Sequence, residues 1–89
     1  MNKTMMNILA CPIDKNYPLE LFEINEKGNV VSEGALFCTK CSRFYPIIEE
    51  IPIMLPDELR DKRQEMEFLK NNKNMLPEKI ITKANPWHL

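Results

Sequence analysis

The sequence predicts a small α+β fold, an antiparallel sheet with a short N-terminal helix and a C-terminal helix, and three observations predict it. Cys38-Thr39-Lys40-Cys41 is a C-x-x-C pair, and Cys11-Pro12-Ile13-Asp14 repeats its spacing with an aspartate where the second thiolate would stand. Between these two half-sites lie two strand-like runs around a polar turn, which would return Cys38 beside Cys11. The chain of 89 residues makes one domain at most, small enough that a metal or disulfide staple is expected beside its core.

Two cysteines separated by two residues can turn both sulfurs toward one ion, and zinc accepts carboxylate oxygen as well as sulfur. Cys11, Asp14, Cys38 and Cys41 therefore form a candidate tetrahedral zinc set, and the architecture reads as zinc-ribbon-like. Four protein ligands leave no open position for a catalytic water, so the metal is expected to hold the fold. The plain alternative is three buried thiols and a turn aspartate bonding its own backbone. For the fourth ligand alone, the competitors are water and the sole histidine, His88.

In chain order, Thr4 can cap a short helix through Met5 to Ala10. Leu19 to Ile24 reads as a strand, Asn25 to Asn29 as a turn, and Val30 to Phe37 as a second strand in which Gly34 suggests a bulge. Arg43 to Ile48 and Ile51 to Leu55 are two further short strands, each with a proline that favours an edge or a strand start. Pro56-Asp57-Glu58 opens a helix to about Asn71, with Glu58 and Lys62 as an i,i+4 pair and Leu59, Met66 and Leu69 as a thin apolar stripe. The expected organisation is a ribbon domain over 1–56, a helix over 57–73, and an extended or flexible tail over 74–89.

Composition narrows the function. Twelve Lys and Arg against thirteen Asp and Glu give a net charge of −1, without the basic balance typical of a nucleic-acid binder. The odd cysteine count argues against a secreted disulfide framework, no apolar run reaches membrane-spanning length, and the N-terminus lacks a signal-peptide core, so a cytoplasmic setting is expected. There is no glycine-rich phosphate loop and no nucleophile with an oriented base, which excludes the common enzyme motifs. Along Ile51 to Leu55, alternate side chains face opposite sides, so Ile51, Ile53 and Leu55 cannot share a core with Pro52 and Met54. With Met5, Met6 and Ile8, the outward set forms an apolar patch of the kind that marks a protein interface.

Asn7-Ile8-Leu9-Ala10-Cys11-Pro12, Glu33 to Cys38, Arg43-Phe44-Tyr45-Pro46-Ile47 and Ile51 to Leu55 resemble the small zinc-ribbon activator subunit shared by several translation-related methyltransferases, over roughly Thr4 to Pro56. The short spacing between half-sites resembles the compact archaeal and bacterial members, and the long C-terminal extension the archaeal ones. This resemblance implies a non-catalytic partner, joined by strand addition, of S-adenosylmethionine-dependent (class I) methyltransferases that modify tRNA, rRNA or a release factor. It implies contacts at Ile8, Phe44, Ile53, Met54 and Leu55. Two departures stand out: Asp14 replaces a cysteine common in the family, and Glu49-Glu50 lacks the usual turn glycine. The competing reading is a nucleic-acid-binding ribbon of the transcription or ribosomal type, using Lys40, Arg43, Phe44 and Tyr45.

Overall fold

The computed structural model describes residues 1–89. Its centre is a four-stranded antiparallel sheet in the order β1-β2-β3-β4, made of β1 (Glu20–Lys27), β2 (Val30–Phe37), β3 (Phe44–Ile48) and β4 (Ile51–Pro52). Two helices follow, α1 (Lys62–Asn71) and α2 (Glu78–Ile81).

The N-terminal helix is a 3-10 turn, Lys3–Asn7, capped by Asn2 rather than by Thr4. The Asn2 side chain accepts the Thr4 N–H at 2.9 Å and the Thr4 hydroxyl at 2.8 Å, so the expected capping residue is itself held by the cap. β1 runs to Lys27, and the turn contracts to Gly28-Asn29. Gly34 serves close approach: a Cβ there would sit 2.6 Å from the Phe22 carbonyl oxygen. The ladder irregularity lies next to it, between Glu23 and Glu26 of β1.

β3 and β4 are joined through Glu49 and Glu50, both at positive φ (50° and 69°), with Ile48 paired to Ile51. A two-residue hairpin loop needs that left-handed backbone, which glycine supplies freely and glutamate adopts at a cost. The last expected strand is shorter than Ile51 to Leu55. After Pro52 only one more backbone bond, Ile53 N–H to the Pro46 carbonyl at 2.8 Å, continues the pairing.

Instead of one helix from Pro56, the chain forms a 3-10 turn over Asp57–Leu59, breaks at Arg60, and restarts at α1 with Asp61 as cap, whose carboxylate accepts the Gln64 N–H at 3.1 Å. Glu58 and Lys62 consequently lie on different elements and make no ion pair. The break has a visible cause: Arg60 is extended (φ −85°, ψ 144°), and its guanidinium is drawn inward to Glu65, at 2.7 Å, and to the Phe44 carbonyl. Both members of that ion pair are buried, and the Arg60 charge stacks 4.9 Å from the Phe44 ring and 5.0 Å from the Tyr45 ring. Burial pushes the Glu65 carboxyl above its ordinary range, with Arg60 pulling the other way.

The segment 74–89, expected as an extended or flexible tail, carries α2 and enters the core. Leu76, Ile80, Ile81 and Ala84 are buried together with Phe68 and Leu69 against Ala35, Phe37 and Phe44 of the sheet. A short bridge between Arg43 and Asn85 ties the same stretch to the start of β3. The opposite face of the sheet packs Val31, Leu36, Tyr45 and Ile47 against Leu19, Cys11 and Cys38, with Met5, Met6, Leu9 and Met54 around them. The sheet therefore has an extension side and a knuckle side. No helix is long and apolar enough to cross a membrane.

Candidate metal centre

The two half-sites adopt one backbone design. In the first, Lys15 N–H donates to the Cys11 carbonyl at 2.9 Å and Cys11 N–H to the Asn16 carbonyl at 3.0 Å. In the second, Ser42 N–H donates to the Cys38 carbonyl at 2.8 Å and Cys38 N–H to the Arg43 carbonyl at 2.9 Å. Lys15 and Ser42 occupy the same left-handed position, with φ of 64° and 62°. Asp14 thus stands in its knuckle where Cys41 stands in the other.

The ligand atoms of Cys11, Asp14, Cys38 and Cys41 all lie within 4.8 Å of one another. Cys11 Sγ and Cys41 Sγ are 3.7 Å apart, and Cys38 Sγ is 3.5 Å from Asp14 Oδ2. A tetrahedral ion with bonds of about 2.3 Å to sulfur and about 2.0 Å to oxygen separates its ligands by roughly 3.8 Å between sulfurs and roughly 3.5 Å between sulfur and oxygen. Both of these distances match that geometry, and the three cysteines are free thiols. His88 is elsewhere, its Nδ1 3.0 Å from the Ala84 carbonyl oxygen.

Electrostatics explain how a carboxylate serves here. The Asn16 N–H, 2.9 Å from Oδ1, is the main reason that Asp14 is drawn down to about 2, opposed by desolvation and helped by the neighbouring thiols. Cys41 is pushed up to about 11, chiefly by burial, with Arg43 acting in the other direction. Burial would raise Cys11 too, but the Tyr45 hydroxyl and the Asp14 and Ile13 backbone outweigh it, and its thiol lies below the ordinary range. Three thiols and a carboxylate crowded together ionise jointly only around a cation. With all four positions taken by protein, the ion would be structural rather than catalytic.

Among the residues expected at a partner surface, Ile8 is 76% exposed and Leu55 37%, whereas Ile53 is half-buried and Met54 packs onto the knuckle-side core. Phe44 is fully buried beneath Arg60 and the C-terminal layer, so it is a core residue and offers a partner no surface. The signal for that cover is the helical spacing of Leu76, Ile80 and Ala84. Ile51, 60% exposed, is an apolar edge residue outside the contacts that the resemblance implies; strand alternation grouped it with Ile53 and Leu55. The basic aromatic face also dissolves: Phe44 and Tyr45 are buried, and Arg43 makes a two-pronged contact with Asp57, at 2.7 Å for the closest pair.

With this geometry in view, comparison with known proteins is direct. A family described as Trm112p-like protein matches residues 2–50, more than half of the chain. The chain belongs to the Trm112p-like family. Relatives called UPF0434 protein include one from Methylobacillus flagellatus, 39% identical over 60 residues, which cover 67% of this chain and 85% of that protein. Another, from Ectopseudomonas mendocina, is 42% identical over 60 residues, covering 67% and 84% respectively. Among solved structures, the Haloferax volcanii Trm112 methyltransferase activator, in complex with a partner assigned as a methyltransferase, aligns with a TM-score of 0.64 and 38% identity over 67% of this chain and all of its own. The family match ends at Glu50, so the Arg60–Trp87 layer of this Trm112p-like chain lies beyond it.

Proposed function

We propose that this Trm112p-like protein is a zinc-bearing, non-catalytic subunit that stabilises and activates S-adenosylmethionine-dependent methyltransferases acting on tRNA, rRNA or a translation release factor. The observation that carries the reading is the likeness, at 38% identity, to an activator solved with its methyltransferase partner, on a chain whose own metal set is closed to substrate. Zinc suits the donor set: three thiolates and one carboxylate in tetrahedral array, with no redox role to fill.

The edge of the sheet beside β4 is the docking element in this reading. It ends in two residues with one side unpaired, and the chain there carries exposed Ile51 and Leu55 and half-buried Ile53. An added strand from the partner would gain main-chain hydrogen bonds there, while these side chains bury apolar area. A subunit that binds only the folded enzyme raises that enzyme's stability by mass action. Such work belongs in the cytoplasm, where these substrates are made.

The test is reconstitution. A class I methyltransferase from the same cell, alone and with this chain, is assayed for melting temperature and for methyl transfer to bulk tRNA, rRNA and release factor. The proposal expects a one-to-one complex, a higher melting temperature for the enzyme, and transfer that depends on the complex. Tight, steeply salt-dependent binding of the isolated chain to tRNA, with no complex, would contradict it.

A further inference from the structure

Tyr45 on β3 is fully buried, and the partner of its hydroxyl is Cys11 Sγ, 3.1 Å away. A buried phenol needs such a partner, and without metal either atom can donate. A metal-bound cysteine is a thiolate, with no proton to give, so the direction then becomes fixed from Tyr45 to Cys11.

The ring behind that hydroxyl is itself held in place. The Arg60 guanidinium lies 5.0 Å from the centre of the Tyr45 ring, and its own place is set by Glu65, at 2.9 Å from Nε, and by the Phe44 carbonyl. We infer that Tyr45 is a positioning residue for the metal, donating its hydroxyl proton to the Cys11 thiolate, and that Arg60 braces its ring from the C-terminal layer. The inference rests on the metal reading above. Three thiolates and a carboxylate around a divalent ion leave a surplus of negative charge at a half-buried site, and hydrogen bonds from neighbouring groups are what orient and moderate such ligands. Asp14 has the Asn16 N–H for this purpose. For Cys11 the donating side chain is Tyr45.

The experiment uses the full chain and Tyr45→Phe, which removes one oxygen and leaves the ring under Arg60. Zinc affinity is measured by chelator competition, and the thiolate-to-metal charge-transfer band is recorded after loading with cobalt(II). The expected result is a loss of roughly 10–100-fold in metal affinity, the usual effect of removing a partner of a metal ligand, with a cobalt band at lower energy because the thiolate has lost its donor. Unchanged affinity and band in a variant that still binds metal would overturn the inference and leave the metal reading intact. Wild-type protein lacking thiolate–cobalt bands would overturn both. If Tyr45→Phe does not fold, cadmium-113 in the wild-type chain decides: the Tyr45 hydroxyl proton should show scalar coupling to the metal through Cys11 sulfur, and its absence would contradict the donated bond.

Discussion

On one face of the sheet, Leu36, Tyr45 and Ile47 pack toward Cys11 and Cys38; on the other, Ala35, Phe37 and Phe44 pack beneath Phe68, Leu69, Ile80 and Ile81. Strand alternation divides β3 cleanly, with Tyr45 and Ile47 on the knuckle side and Phe44 and Ile48 on the other. The knuckle side has a four-ligand set suited to a metal and needs few residues at strict spacing. The extension side is closed by apolar area, with one buried ion pair, Arg60–Glu65, at its edge. A domain of this size can be held by either device, and here one face carries a ligand set suited to the first while the other uses the second.

The largest break in this comparison is expected on the knuckle side. Metal binding in small ribbons is worth on the order of 10 kcal/mol of folding free energy, so Cys38→Ser should lose zinc and unfold the knuckles, as read by metal content and thermal melting. Full occupancy and unchanged melting in that variant would remove this ligand set from the account. On the other face, Leu69→Ala deletes a fully buried side chain and should cost about 2–5 kcal/mol while the chain keeps its zinc. Equal zinc loss in both variants would show that the two closures are not separate.

Asp14 gives a finer contrast within the knuckles. Asp14→Ala should weaken metal binding less than Cys38→Ser, since water can replace a carboxylate more easily than a thiolate bond is replaced. Protons make the distinction sharper. Asp14 lies at about 2 and is already ionised near neutrality, so metal binding displaces protons from the cysteines and none from the aspartate. Affinity should therefore rise with pH through the thiol range. Asp14→Cys should release additional protons on zinc uptake, counted by calorimetry in buffers of different ionisation enthalpy.

The smallest expected effect is at the β3–β4 turn. Glu49 and Glu50 both hold positive φ, so replacing the pair by Asn-Gly should stabilise the chain by about 1 kcal/mol, checked by denaturant midpoint.

These differences also explain what the sequence made legible. The metal set could be read because two C-x-x patterns flank two strand-like runs around a polar turn, and β2 lies over Val30–Phe37, the stretch read as the second strand. The Arg60 break is legible only in part: Asp61-x-x-Gln64 is a helix-start pattern and Asp61 is the cap used, while the Phe44 carbonyl and Glu65, which hold Arg60 out of line, are tertiary partners that no local pattern marks. The 74–89 layer is legible in part: Leu76, Ile80, Ile81 and Ala84 recur at helical spacing behind Pro77, but the run is short and bounded by prolines, and only the sheet gives that face something to cover. Phe44 was misplaced as a contact because the cover over it comes from that same layer.

The most direct test of the account is a charge at the free edge. Leu55 is exposed, whereas Met54 packs inward, so Leu55→Glu isolates the edge in a way that Met54→Lys does not. Co-expressed with a class I methyltransferase, the Leu55→Glu chain should keep one equivalent of zinc and its own melting behaviour. It should lose the complex and the methyl transfer, since a buried unpaired charge costs roughly 3–5 kcal/mol at such a contact. A zinc-loaded Leu55→Glu chain that still forms a fully active complex would contradict the placement of the partner at this edge.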